Sequence, residues 1–111
     1  MNVVIYNQQD NIINGLNIEI SKAIKGEFKV EDIIKTFSNY FFSRMILDVT
    51  ALDNYNDIKN YQKLSIGLPT DKIILLIPSG TEASSNIFLS RLISLGYYNF
   101  TTNLDGVQYL M

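Results

Sequence analysis

The strongest constraint in this chain is a pattern that repeats five times. A short aliphatic run, mostly β-branched, is followed by a stretch with apolar residues at helical spacing. Val3-Val4-Ile5-Tyr6 opens the series; Phe28-Lys29-Val30, Met45-Ile46-Leu47-Asp48-Val49, Lys72 to Ile77 and Tyr97 to Thr101 follow. Continuous apolar runs suit strands buried on both faces. Strands alternating with helices need crossover connections, and right-handed crossovers give a parallel sheet with helices on both faces. The sequence therefore predicts an α/β domain around a five-stranded parallel sheet. Its 111 residues, 47% of them hydrophobic, have the size and apolar share for one core.

The intervening stretches carry their own signals. Asp10 is placed to cap a helix whose stripe reads Ile12, Ile13, Leu16, Ile20, Ala23 and Ile24, with Lys22 and Lys25 in the last turn and Gly26 as the stop. Glu31 or Asp32 opens a second helix carrying Ile33, Ile34, Phe37, Tyr40 and Phe41, and Tyr40-Phe41-Phe42 reads as core. Asn54 to Leu64 is a third, with Ile58, Tyr61 and Leu64 on one face and Gly67-Leu68-Pro69 at its end. Ser84 to Leu95 is a fourth, with Phe88, Leu89, Leu92 and Ile93 inward and Gly96 as its stop. Leu104 to Met111 starts a fifth, still apolar at Val107, Leu110 and Met111. That unfinished pattern suggests one domain over residues 1–111 at the N-terminus of a longer protein.

Composition excludes whole chemistries. There is no Cys and no His, hence no disulfide frame, thiolate nucleophile, imidazole base or Ser-His-Asp triad. Carboxylate, Lys, Tyr, Ser and Thr remain. A net charge of -2 offers no electrostatic footprint for nucleic acid. No apolar run approaches the ~20 residues of a membrane helix, and no targeting segment stands at the start. A cytoplasmic binding or regulatory domain is the expectation, with no cofactor.

In open parallel sheets the ligand crevice lies at the carboxyl ends of the strands. The residues there are Asn7, Gln8, Gln9 and Asp10 after the first strand, and Asp48 and Thr50 at the third. Pro78, Ser79 and Gly80 follow the fourth, and Thr101, Thr102 and Asn103 the fifth. With Asp48 closing Met45-Ile46-Leu47-Asp48, and Leu95-Gly96 leading into Tyr97-Tyr98-Asn99-Phe100, the chain resembles the receiver domain of two-component response regulators. The resemblance implies a flavodoxin-like fold with strand order 2-1-3-4-5. It makes Asp48 the phosphoacceptor position, which a histidine kinase would supply in a true receiver.

The remaining positions depart from that family. Asn7 and Gln8 stand where receivers carry an acidic pair, and neutral amides ligate magnesium weakly. Ser79 or Pro78 holds the Thr/Ser position, and Thr101 or Thr102 replaces the Lys. Phosphoryl transfer depends on magnesium and fixed positive charge, and most of that apparatus is missing. Asp48 reads better as a carboxylate capping the loop that follows. The chain is thus similar to degenerate receivers, including the domain that precedes a MinD/ParA-like ATPase in pilus-assembly proteins of the TadZ/CpaE type. That setting implies self-association and localisation, with protein partners or a second copy. A small flavodoxin-like enzyme or nucleotide binder is a third alternative, disfavoured by the lack of His, Cys and a Gly-rich phosphate loop.

Weaker constellations complete the reading. Tyr97, Tyr98, Phe100 and Tyr109 crowd the end of the chain; aromatics with polar tips suit an interface, and core packing of the last strand and helix explains them equally well. Ser79, Thr81, Ser84 and Ser85 sit where a phosphate or a helix cap would find donors, and capping explains them equally well. Asp53, Asp57 and Glu31-Asp32 read as helix starts without metal spacing.

Overall fold

The computed structural model describes residues 1–8 and 11–111. Five strands form one parallel sheet: β1 (Asn2–Tyr6), β2 (Ile20–Lys25), β3 (Arg44–Asp48), β4 (Ile73–Leu76) and β5 (Phe100–Thr101), in the order β2-β1-β3-β4-β5. Among the described residues four α-helices connect them, α1 (Ile12–Gly15), α2 (Val30–Phe37), α3 (Ile58–Gly67) and α4 (Asn86–Ser94), and α5 (Leu104–Leu110) follows the last strand. Fold class and strand order are those expected.

Alternation along the three central strands divides the core in two. Val3, Ile5, Met45, Leu47, Ile73 and Leu75 point to one face, where α2, α3 and α4 pack with Ile33, Phe37, Tyr61, Leu64, Phe88 and Leu92. Val4, Ile46, Ile74 and Leu76 point to the other, covered by Ile12, Leu16 and Val107 of the α1 and α5 segments. Both faces being covered explains why these strands read as unbroken apolar runs.

Several expectations for local structure need correction: α3 starts at Ile58 rather than Asn54, Ile93 of α4 is exposed rather than inward, the last strand is Phe100–Thr101 rather than Tyr97 to Thr101, and three further segments differ more deeply. The helix expected from residue 12 to 25 stops at Gly15, and residues 20–25 form β2. Asn14-Gly15 and Asn17 are weak helix formers, and Leu16 is already extended. From Ile20 onward the backbone pairs with β1, and the Ser21 hydroxyl donates to the Asn2 carbonyl. The cap expected at Asp10 lies outside the described residues. The strand expected at Phe28–Val30 reduces to a single bridge between Phe28 and Leu52, and Val30 begins α2, with Glu31 and Asp32 favourably placed in its positive first turn. Of Tyr40-Phe41-Phe42, only Phe42 is fully in the core. Tyr40 is half-buried and packs edge-on against Phe37, whereas Phe41 is exposed under the Lys72 ammonium.

The remaining helix boundaries follow their caps. Asp57 accepts from Lys59 N–H at the start of α3, and the Ser85 hydroxyl accepts from Phe88 N–H at the start of α4. At the end of α4, Gly96 takes φ 98°, a left-handed conformation that Gly enters without steric cost. Its N–H bonds to Ile93 O and that of Tyr97 to Leu92 O. This is a Schellman closure, which carries Tyr97 back under the helix.

Candidate functional site

The carboxyl ends of β1 and β3 meet at Asp48, whose side chain is fully buried. Burial of a carboxylate requires that its oxygens be satisfied. Asp48 Oδ2 accepts from the Asn7 and Gln8 backbone N–H groups at 3.0 and 3.2 Å. Oδ1 accepts from Thr50 N–H at 3.1 Å and from the Thr50 hydroxyl at 2.8 Å. Thr50 is buried as well, and its Oγ1 accepts a second bond from Gln8 N–H at 3.2 Å. Asp48 therefore caps the turn that follows β3 and anchors the loop that follows β1. Among the described residues no buried side-chain polar atom lacks a partner.

Sequence reasoning located Asp48, Asn7 and Gln8 but not the way they bond. Asn7 and Gln8 reach Asp48 through backbone amides. The Asn7 side chain turns aside, donating to Thr50 O at 3.0 Å and to Glu27 Oε1 at 3.4 Å. Thr50, which the sequence placed beside Asp48 at the end of the third strand, is the partner that closes the turn. The Asp-x-Thr spacing was the available signal, because an Asp side chain readily closes a turn onto the amide two residues on.

The other candidate positions serve different ends. Ser79 is exposed in the turn Pro78–Gly80, where Gly80 takes φ 81°. The hydroxyls of Thr81 and Ser84 donate to the carbonyls of Pro78 and Thr81, and Ser85 caps α4. Thr101 ends β5, separated from β3 by β4, and its hydroxyl abuts Gly106 of α5 so closely that a Cβ there would collide with it. Thr102 is exposed beside it. Tyr97 is a correction. It is fully buried, not at a surface; its ring packs edge-on against Tyr61 at 6.1 Å and its hydroxyl donates to Tyr61 O at 2.7 Å. Burial pushes both phenols above the ordinary tyrosine range. Tyr98 and Tyr109 are exposed and Phe100 is half-buried.

Next to Asp48 the surface opens into a cleft of about 830 Å³, lined among others by Gln8, Thr50, Glu27, Asp53 and Asp57. Among the described residues no group of three or more acidic side chains is placed to hold a metal ion. The magnesium ion that receivers employ needs anionic oxygens with lone pairs to give. Here the Asp48 oxygens already accept from N–H and O–H donors, and the neighbouring side chains Asn7 and Gln8 are neutral amides. The described donor set does not fit the ion.

The fold and its crevice define a doubly wound, flavodoxin-like α/β domain. Comparison with known protein families, curated proteins and solved structures gives no match. Among the described residues no helix is long and apolar enough to cross a membrane.

Proposed function

We propose that this chain is a non-catalytic pseudo-receiver, a module for protein interaction, dimerisation or localisation within a larger regulatory or pilus-assembly protein. The observation that carries the reading is the condition of Asp48. A phosphoacceptor must present an oxygen to an incoming phosphoryl group, next to cationic charge that stabilises the transferring oxygens. Asp48 is shut off from solvent, and its oxygens hold the loops around it together. On the receiver resemblance the cation's position falls to Thr101 or Thr102, which are both uncharged, and the Thr101 hydroxyl lies against α5. The exposed Tyr98 and Tyr109, with half-buried Phe100, are the aromatic surface through which two copies would associate.

A phosphorylatable receiver is the second reading, favoured by the place of Asp48 at the end of the central strand β3. Addition of beryllofluoride and magnesium separates the two. The pseudo-receiver reading expects amide chemical shifts of Asn7, Gln8, Asp48 and Thr50 to stay unchanged. Saturable shifts there, absent in Asp48→Asn, would overturn it. Light scattering tests the association: a strict monomer at high concentration counts against dimerisation through Tyr98 and Tyr109.

A further inference from the structure

The outer surface of α3 and α4 carries a feature that neither the core nor the Asp48 loops use. The two helices meet through buried Tyr61 and Phe88, whose rings pack edge-on at 5.5 Å. Outside that contact runs a groove of about 260 Å³ lined by Ile58, Gln62, Arg91, Ser94 and Leu95. Residues four apart share a helix face. Ile58, Gln62 and Ile66 thus form one wall, and Ile87, Arg91 and Leu95 the other. Ile66 is 87% exposed and Ile87 71%, so apolar surface continues past the groove on both helices.

Arg91 lies in the middle of this apolar surface. Among the described residues no carboxylate pairs with it. In water the guanidinium is solvated. Once an apolar segment covers the groove, that hydration is lost, and a carboxylate must replace it. A groove between two helices, with apolar positions spaced one turn apart, accepts a third helix.

We infer that the α3–α4 groove docks an amphipathic helix of a protein partner, with an Asp or Glu set midway along its apolar stripe to pair with Arg91. Apolar residues one turn to either side of that acid would cover Ile66 and Ile87. The inference deepens the interaction-module reading and rests on it. It places the partner on a surface distinct from Tyr98 and Tyr109.

The test is selection of helical peptides of random sequence against the immobilised full chain, followed by amide-shift mapping of the enriched peptides. The expected peptides carry apolar residues at three- and four-residue spacing around one acid. They shift Ile58, Gln62, Ile66, Ile87 and Arg91. Arg91→Glu weakens them at least tenfold while leaving the circular dichroism spectrum unchanged, and a peptide with Lys in place of the acid recovers affinity for that variant. Ile87→Lys weakens them independently. Enriched peptides without an acid, affinity indifferent to Arg91→Glu, or no enrichment overturns the inference. Peptides that shift Tyr98 and Tyr109 instead sink the groove and leave the interaction-module reading standing.

Discussion

Replacing Asp48 measures what its carboxylate does. Asp48→Ala removes the acceptor for Asn7 N–H, Gln8 N–H, Thr50 N–H and the Thr50 hydroxyl at once. The two Thr50 bonds are buried, whereas the two to the β1 loop are partly open to water. A buried donor left without a partner costs about 1–3 kcal/mol. The Thr50 groups alone therefore set a loss of roughly 2–6 kcal/mol, and water recovers part of the rest. Asp48→Asn keeps one oxygen for Thr50 but points an NH2 at the amides of Asn7 and Gln8, for a loss of roughly 2–3 kcal/mol. With an unfolding entropy of ~2.1 cal/mol/K per residue, a chain of 111 residues shifts its Tm by about 4 °C per kcal/mol. Asp48→Asn should thus lower the Tm by roughly 8–12 °C and Asp48→Ala by more. Far-UV circular dichroism suits the assay, since the chain has no Trp, and urea titration should show a lower midpoint at unchanged slope. The sign is the decisive feature. Reactive-site groups are commonly held at a cost in stability, so neutralising one tends to stabilise the fold. A Tm that rises or stays put in Asp48→Asn would refute the structural role and favour the phosphoacceptor.

Three further outcomes follow from the packing. Burial raises the pKa of Tyr61 and Tyr97 above the ordinary ~10. The unfolded chain therefore sheds these protons first as pH rises past ~10, and stability falls from there upward, by up to ~2.7 kcal/mol per pH unit for the two groups together. Urea midpoints at pH 9, 10 and 11 should show the fall, and Tyr97→Phe should about halve its slope. Gly106→Ala should destabilise the chain despite better helix propensity, because the added methyl meets the Thr101 hydroxyl; thermal melts should show a loss of about 1–3 kcal/mol, partly relieved by Thr101→Ala, which removes that hydroxyl. Glu31 and Lys63 join α2 to α3 at 2.9 Å, and the hydrogen bond from Lys63 holds the Glu31 carboxyl below its usual pKa. Both side chains are more than half exposed, so Lys63→Ala should leave the melting midpoint within experimental error.

The parts of the fold that were legible in the sequence are those buried on two sides. β1, β3 and β4 are apolar runs because helices cover both faces, and a run of that kind has one interpretation next to helical stretches. β2 failed for a definable reason. Its pairing with β1 slips between Asn2 and Val3, where Ile20 and Lys22 become successive partners and Ser21 is the extra residue of a bulge. Ile20 consequently packs on the α1/α5 side and Ile24 on the α2–α4 side. The bulge erased the period-two signature, and the four-residue spacing that survived imitates a helix stripe. Asp48 was legible because strand ends are where such folds place polar groups. The amides that satisfy it were not, since backbone donors carry no residue signature. Tyr97 and Tyr98 look alike in sequence. Only the Schellman closure at Gly96 separates them, turning the first residue after the glycine inward and the next outward.

The bulge at Ser21 has another effect, on how the sheet ends. β2 is an outer strand, six residues long, against two for β5 on the opposite side. A flat outer strand of that length offers its free backbone groups to any second chain, the usual route to uncontrolled sheet growth. The bulge twists the first residues of β2 out of line, and Lys22 sets an ammonium over the Phe37 and Tyr40 rings, 5.8 and 5.6 Å from their centres, beside that edge. Strand addition would have to straighten the one and crowd the other. On the interaction-module reading, association would thereby be directed away from the longest free edge and onto the helical surfaces.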